Sequence, residues 1–174
     1  MWNGKGDSPG GFTFLELLLV LLILGFTLLL SFPNFGEFLR PADPKRAVLS
    51  LVGTLRYAQS QSATTKRRHR LYLDLRENAY WVSREGEKGK FIRDPSSFGQ
   101  ISYLPAGISF LDVSQPERGK VTEGTVFVEL SPTGWAESSA IHLQREESAP
   151  FTIFIHPLGG KAEVQAGYME RWKE

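Results

Sequence analysis

An almost unbroken apolar run at residues 17–30 limits what this chain can fold into. With its flanking residues the run extends from 12 to 32, about 21 residues, and at roughly 1.5 Å per residue a helix of that length matches the hydrocarbon thickness of a bilayer. We therefore predict a single membrane-spanning helix at residues 12–32.

Glu16 is the only charged residue in this segment. An acidic side chain at mid-membrane depth costs roughly 2.5–3.5 kcal/mol on insertion scales, so it is normally kept where a partner uses it. Two other interpretations stay open, namely an interfacial residue that reaches water and a tolerated accident.

The residues before the apolar run favour a partner for Glu16. Gly10 and Gly11 form a flexible, unobstructed peptide segment at the point of membrane entry, which suits a protease that works at the bilayer surface. Cleavage there would create an amine at Phe12, one helical turn from Glu16. A free terminal amine has an ordinary pKa of about 7.7–8.0, so it would be a natural counter-charge for a carboxylate in a medium of low dielectric constant.

The letters GFTFLELLLVLLILG at residues 11–25 resemble the class III signal of type IV pilins and type II secretion pseudopilins. The resemblance implies that a prepilin peptidase cleaves between Gly11 and Phe12 and methylates the new Phe12 terminus. It also implies that Glu16 pairs with the N-terminus of a neighbouring subunit during filament assembly. Gly25 and Pro33 then bracket a stretch where the helix breaks or unwinds in filaments.

The resulting organisation has four parts: a leader at 1–11, a membrane and assembly helix at 12–32, a connector at 33–43 and a globular domain at 44–174. A secretory signal peptide is a competing interpretation, but the small-residue cleavage pattern is missing after the run. Charges after the span would place the C-terminal side in the cytoplasm by the positive-inside rule. The processing motif instead favours a single-pass protein of the bacterial inner membrane with its domain in the periplasm.

Composition excludes several classes of function. The formal net charge is +1, so there is no global attraction to nucleic acid or acidic lipid. The chain has no cysteine, which excludes thiol catalysis, disulfides and thiolate metal sites and leaves the redox compartment undetermined.

Periodicity predicts an α+β domain. Asp43 and Pro44 read as an N-cap with proline at the first helical position, and an amphipathic helix should run to about Thr65. Its apolar stripe, spaced by three and four, is expected to pack on a sheet. The stripe consists of Val48, Leu51, Val52, Leu55, Ala58 and Ser62.

The period changes to two from Leu71, which predicts antiparallel strands. A hairpin is expected from 71–75 and 79–84 around the turn at Glu77 and Asn78, and an irregular loop is expected at 114–124. Further strands are predicted near 108–110, 125–130, 140–143, 151–156 and 161–165. Trp81 is a candidate core residue and Trp135 a candidate contact residue.

The second half of the chain is similar to the GspH/FimT group of minor pseudopilins and minor pilins. Four segments carry this resemblance: the hairpin at 71–83, the stretch LPAGI at 104–108, the turn SPTG at 131–134 and the closing hairpin FTIFIHPLGGK at 151–161. The resemblance implies a minor pseudopilin at or near the tip of a periplasmic pseudopilus that drives protein secretion. Its partners would be the prepilin peptidase, other major and minor pseudopilins, the inner-membrane assembly platform and, before assembly, membrane lipid.

The densest basic cluster is Lys66, Arg67, Arg68 and Arg70. Two interpretations are open. The cluster is a solvated turn whose cations complement a helix C-terminus, or it is a patch that contacts phosphate. The second interpretation belongs to an alternative function, a FimT-like minor pilin of a type IV pilus that starts pili or takes up DNA.

Residues that could carry chemistry are sparse. His69, His142 and His156 lack the spacing of metal ligands and read as surface or strand residues, and Glu146 with Glu147 reads as a solvated loop. We predict no catalytic residue, no metal, no cofactor and no enzymatic activity. A third class of function stays open, a single-span anchored binding domain, and it predicts no cleavage at Gly11.

Overall fold

A computed structural model describes residues 12–31, 44–145 and 149–170. The leader, Gly11, Pro33, the connector, the predicted N-cap Asp43 and the pair Glu146 and Glu147 lie outside these residues. The described part divides into two compact units, one with the first helix and one with all other elements. The helices are α1 (Phe14–Ser31) and α2 (Pro44–Thr65).

The described strands all belong to the second unit. They are β1 (His69–Asp74), β2 (Ala79–Glu85), β3 (Phe91–Arg93), β4 (Ser102–Tyr103), β5 (Ile108–Gln115), β6 (Gly119–Val121), β7 (Thr125–Leu130), β8 (Ser139–Arg145), β9 (Phe151–Ile155) and β10 (Ala162–Ala166).

The strands form two antiparallel sheets of five strands each. Sheet A has the order β3-β2-β1-β7, with β4 also paired to β2, and sheet B has the order β10-β9-β8-β5-β6. The predicted α+β class is confirmed: an amphipathic helix packs on antiparallel sheet.

The buried stripe of α2 is as predicted. All six of its residues are buried, and together with inward-facing residues of both sheets the apolar ones form one core cluster. The polar member, Ser62, is satisfied because its hydroxyl oxygen lies 2.8 and 2.9 Å from the carbonyl oxygens of Arg67 and Leu130, which share its one proton. The helix ends at Thr65, and the next residue, Lys66, has a φ of 56° that no right-handed helix can continue.

The hairpin of β1 and β2 also follows the prediction. Strand residues that face the core, such as Leu71, Leu73 and Val82, alternate with residues that face outward. Asn78 takes the left-handed conformation in the turn, with a φ of 51°, a region in which asparagine is enriched.

Two predictions were wrong. Residues 114–124 are not an irregular loop, because β5 continues to Gln115 and turns back into β6, with Ser114 opposite Lys120. The polar side chain of Gln115 is buried and donates to the carbonyl of Phe127 at 2.9 Å, whereas residues 116–120 and 122–124 are exposed. Trp81 is half-buried on the outer face of sheet A, since it alternates with the core residues Tyr80 and Val82.

The loop between β3 and β4 is fastened to α2 through Asp94. The carboxylate accepts from the Tyr57 hydroxyl and the Ser96 amide, each at 2.9 Å. Burial raises the pKa of Asp94, but the hydrogen bonds from Ser96 and Tyr57 outweigh it and hold that pKa below its ordinary value. Gly99 completes the loop, because a Cβ at this position would lie 1.8 Å from the Asp94 carbonyl oxygen.

We expect Gly99→Ala to lower the free energy of unfolding by about 2–4 kcal/mol, because the backbone of Asp94 must move to admit the methyl group. The matched control is Gly53→Ala, at an exposed position inside α2 where a Cβ meets nothing within 4 Å. It should raise stability by about 0.5–1 kcal/mol. Urea unfolding of the detergent-solubilised chain, followed by tryptophan fluorescence, measures both, and equal effects of the two alanines would contradict the packing argument.

Candidate functional site

The start of α1 carries the predicted assembly residues. Thr13 is the N-cap: its hydroxyl accepts from the Glu16 amide at 3.3 Å, and its carbonyl accepts from Leu17 at 3.2 Å. The sequence Thr13-Phe14-Leu15-Glu16 therefore fits the capping-box pattern, with Glu16 at the third helical position. A carboxylate in the first turn also complements the positive end of the helix dipole. Glu16 thus has a structural role beside any role in assembly.

The apolar side chains of α1 are exposed in the described part of the chain. Over residues 12–26 their exposed fractions range from 47% at Val20 to 83% at Phe12. A helix that is apolar on all sides needs lipid or other protein around it. Gly25 lies inside the helix, where a Cβ would meet nothing within 4 Å, so no packing within the described residues explains the glycine.

In the described residues, no helix is both long enough and apolar enough to cross a membrane. The predicted span at 12–32 ends at Phe32, outside the described part, and stays a prediction. Cleavage after Gly11 and methylation of Phe12 also stay predictions.

The basic cluster is divided by the fold. Lys66 and Arg67 are exposed, whereas Arg68 and Arg70 pair with carboxylates on neighbouring strands. Arg68 binds Glu85 through two nitrogens, at 2.6 and 3.1 Å, and Arg70 binds Glu129 through two, at 2.7 and 2.9 Å.

The ion pair between Arg68 and Glu85 shifts the pKa of both residues. The hydrogen bonds with Glu85, together with the charge of Glu129, raise the pKa of Arg68 above its usual range. The Arg68 side chain in turn holds the pKa of Glu85 below its ordinary value of 4.5. Two of the four cations in the cluster are thus matched by acids of the same domain.

Aromatic rings extend this arrangement over the outer face of sheet A, which we call the arginine face. The Arg70 guanidinium lies between two rings, 3.8 Å from the centroid of Phe91 and 3.9 Å from that of Phe127. Arg118 lies 3.8 Å from the Phe127 centroid. Such contacts contribute about 0.5–1 kcal/mol when exposed and more when desolvated. The remaining members are Arg68, Tyr72, Trp81, Arg93, Glu85 and Glu129.

Sequence reasoning missed the arginine face. Phe91 and Phe127 lie far from Arg70 along the chain, and only the pairing of β7 with β1 places Glu129 opposite Arg70. The sequence signal that could have predicted this face is the alternation of charged and aromatic residues at the outward positions of these strands.

Two of the three histidines are strand residues, as predicted, but they are buried. His69 has one ring nitrogen 3.0 Å from the Arg67 carbonyl. His142 has Nδ1 2.6 Å from the Asp112 carboxylate and Nε2 2.8 Å from the carbonyl of Met169. Because its second ring nitrogen contacts the Met169 backbone carbonyl, His142 fastens the segment after β10 to sheet B. No group of three metal-binding side chains occurs among the described residues.

An aromatic stack reinforces that fastening. The Tyr168 ring lies 4.0 Å from the His142 ring, and its hydroxyl donates to Asp112 at 3.1 Å. Burial is the main reason that the pKa of Tyr168 is raised. The cluster is therefore a structural clamp on residues 167–170.

Comparison with known proteins gives matches only at the level of fold. No protein-family model matches the chain, and no curated protein matches it. Among solved structures, the chain is similar to the minor pseudopilin EpsH from the type 2 secretion system of Vibrio cholerae, with a TM-score of 0.58 and 9% identity over 70% of this chain and 94% of that one. A second EpsH structure gives a TM-score of 0.57 at 9% identity, over 72% and 94%.

The type IV minor pilin FimU of Pseudomonas aeruginosa gives a TM-score of 0.49 at 11% identity, over 73% of this chain and 99% of that one. At such identities the EpsH likeness establishes shared fold, and the domain described here has the minor-pseudopilin fold.

The Arg68–Glu85 pair predicts a specific pH dependence. Because the folded pKa of Glu85 is depressed, its contribution is present above the unfolded value and is lost as the pH falls through the folded value. Wild type should therefore be more stable than Glu85→Gln at neutral pH, and the difference should shrink as the pH falls below 4.5.

Melting temperatures measured across this range test the prediction, with Glu87→Gln, at an exposed position just after the end of β2, as the control. The control should follow wild type at every pH. A difference between wild type and Glu85→Gln that stays constant into acid would remove the ion pair as its cause.

Proposed function

We propose that this chain is a minor pseudopilin of a type II secretion system. It is processed by a prepilin peptidase and assembles at or near the tip of a periplasmic pseudopilus that drives protein secretion. One observation carries the proposal: an exposed apolar helix with a single carboxylate one turn from Phe12 belongs to a chain whose domain has the fold of EpsH.

In this mechanism the segment at 12–32 holds the precursor in the bacterial inner membrane with its domain in the periplasm. Cleavage after Gly11 frees the amine of Phe12, which is then methylated. Assembly is a lateral transfer from lipid into a bundle of helices, in which the side chains of α1 exchange lipid for similarly apolar neighbours. The unwinding of the helix between Gly25 and Pro33 is part of this proposal, since glycine costs about 1 kcal/mol in a helix interior relative to alanine.

Glu16 sets the register of the subunit. An unpaired carboxylate in a desolvated bundle disfavours a misaligned subunit by several kcal/mol, because its charge is then uncompensated. Its counter-charge is the terminal amine of a neighbouring subunit. The chain acts as a structural subunit in this role and not as an enzyme.

The alternative, a type IV minor pilin that binds DNA, depends on the cluster at Lys66, Arg67, Arg68 and Arg70. Pairing of Arg68 with Glu85 and of Arg70 with Glu129 counts against that patch, because phosphate would have to displace two carboxylates. The exposed cations Lys66 and Arg67 alone form a small patch.

The first test is the intact mass and N-terminal sequence of the membrane-extracted chain, made with and without a co-expressed prepilin peptidase. We expect a peptidase-dependent product that begins at methylated Phe12. A chain that keeps Met1 in the presence of active peptidase would overturn the proposal and make an anchored binding domain the leading function.

The second test separates the two roles of Glu16. Glu16→Ala should be cleaved normally but should co-purify with other subunits at least about tenfold less, a loss of about 1.4 kcal/mol or more, because the amine of the neighbouring subunit loses its carboxylate partner. Thr13→Val removes the hydroxyl cap, a loss of about 1 kcal/mol of helix stability, and keeps the carboxylate, so it should co-purify close to wild type.

Quantitative immunoblots of detergent-extracted complexes measure both variants. If Thr13→Val reduces co-purification as severely as Glu16→Ala does, the two residues act by stabilising the start of the helix. That result would contradict the pairing of Glu16 with the amine of a neighbouring subunit.

A further inference from the structure

Both ring nitrogens of His142 have a hydrogen-bonding neighbour, although the residue is fully buried. Nδ1 lies 2.6 Å from a carboxylate oxygen of Asp112, and Nε2 lies 2.8 Å from the backbone carbonyl oxygen of Met169. A backbone carbonyl only accepts hydrogen bonds, so the contact with Met169 needs a proton on Nε2. A neutral imidazole carries one N–H, and that proton is then used. The short contact between Nδ1 and Asp112 therefore needs a second proton.

The surroundings of Asp112 favour a carboxylate that accepts at both oxygens. Its other oxygen accepts from the Tyr168 hydroxyl at 3.1 Å and lies 3.5 Å from the Lys120 ammonium. Lys120 also donates to the Tyr168 hydroxyl at 2.5 Å, which leaves the proton of that hydroxyl for Asp112. Wherever the proton between Asp112 and Nδ1 resides, the pair holds one proton more than a neutral histidine beside a carboxylate.

Burial of this extra proton is compensated within the cluster. Desolvation disfavours a charged imidazolium, but a carboxylate neutralises it here and both of its N–H groups have acceptors. Strand β9 contributes the uncharged Thr152 opposite His142. The titratable groups around the ring in the described residues are Asp112 of β5, Lys120 of β6 and Tyr168, with the exposed Glu170 following Met169.

The other fully buried histidine does not need a second proton. One ring nitrogen of His69 lies 3.0 Å from the Arg67 carbonyl, but the other lies 3.7 Å from the Asp94 carboxylate, which is beyond hydrogen-bonding distance. A neutral ring with one N–H satisfies this arrangement. The requirement for two protons therefore belongs to His142.

We propose that the clamp on residues 167–170 closes only when the His142–Asp112 pair holds the extra proton, which makes this segment a pH-sensitive device. Loss of the proton leaves a lone pair of Nε2 facing the Met169 carbonyl at 2.8 Å, and two acceptors at that distance repel. The segment then moves away from sheet B.

The second fastening of the segment depends on the same position. The Thr152 hydroxyl donates to the Gly167 carbonyl at 2.8 Å and accepts from the Met169 amide at 3.1 Å, so movement of Met169 breaks the latter bond. Opening uncovers His142 and Thr152 on sheet B. It also takes Glu170 from the wall of a cavity of about 640 Å³ beside β5 and β8.

The sign of the pH dependence follows from the number of protons. The closed clamp binds one proton more than the open one, in which an exposed histidine has its ordinary pKa of about 6.5. The stability of the clamp is therefore fully present below about pH 6.5 and falls as the pH rises. Each pH unit above that value should favour opening by up to about tenfold.

Nuclear magnetic resonance on the detergent-solubilised full chain tests this coupling. Ring-nitrogen shifts report the protons on His142, and the exchange rate of the Met169 amide, divided by that of an unstructured peptide at the same pH, reports opening. The reference outside the clamp is the Leu75 amide, which donates to the Gly124 carbonyl at 2.9 Å.

Both ring nitrogens of His142 should carry a proton while the Met169 amide is protected. Between about pH 6.5 and 8.5 the protection of Met169 should fall at least about tenfold, and that of Leu75 should stay constant. A neutral His142 ring in a chain whose Met169 amide is still protected would overturn the proposal. Loss of this protection while the ring keeps both protons would also overturn it.

Asp112→Asn should remove the pH dependence and keep the clamp. The new amide nitrogen donates to Nδ1 and the remaining oxygen accepts from Tyr168, so a neutral His142 can donate to Met169 at every pH. The control is Glu123→Gln, which makes the same change of formal charge at an exposed position and should retain the wild-type pH dependence. Asp112→Asn with the pH dependence of wild type would contradict the proposal.

The clamp lies wholly within the second unit of the chain. A chain that is not processed at Gly11 would therefore overturn the proposed function and leave the clamp unaffected. A processed chain whose Met169 protection does not change with pH would overturn only the clamp's dependence on the proton.

Discussion

The domain depends on the burial of one stripe of α2. Val48, Leu51, Val52 and Leu55 join inward-facing residues of both sheets in a single cluster, so the helix and the two sheets bury one common core. Fully burying an aliphatic side chain of this size contributes roughly 1.5–3 kcal/mol relative to exposure. Because the inner faces are used in this way, the surfaces of the domain that remain for other purposes are the outer faces and the strand edges.

The outer face of sheet A is organised by charge and by aromatic rings. Arg70 is held between Phe91 and Phe127 and is paired with Glu129, so its charge, two of its guanidinium nitrogens and both of its flat faces are occupied. Isolated surface ion pairs contribute little to stability, but here the partners are half-buried and shared. The carboxylate of Glu137 lies at the margin of this face; burial raises its pKa, while the Glu129 amide and Arg118 act in the opposite direction. Two of the four cations of the basic cluster, Arg68 and Arg70, are therefore used in ion pairs within the domain.

Local sequence patterns were sufficient to predict the helix and the strands, but they did not predict which strands pair with one another. The spacing of Val48, Leu51 and Leu55 predicted α2 and its buried side, and the alternation from Leu71 predicted the first hairpin, because each pattern is complete within a few residues. The division into two sheets depends on strand pairs far apart in the sequence, which periodicity does not report. The hairpin at 114–124 was missed for a related reason: Gln115 is polar, yet its partner Phe127 lies on a different sheet. At the candidate site, Phe12 and Glu16 were identified from the sequence, whereas the cap by Thr13, visible in the T-x-x-E spacing, was not recognised.

The two units of the chain are constrained in different ways. The domain shares its fold with EpsH at a TM-score of 0.58, although only 9% of the aligned residues are identical. The start of α1 is more restricted in the proposed role, because a carboxylate one turn from Phe12 can be replaced by no apolar residue. Thr13 caps the Glu16 amide, and the Glu16 carboxylate complements the positive end of the helix dipole. That local contribution is only about 0.3–1 kcal/mol, so the proposed role assigns the remaining need for a carboxylate to the terminal amine of a neighbouring subunit.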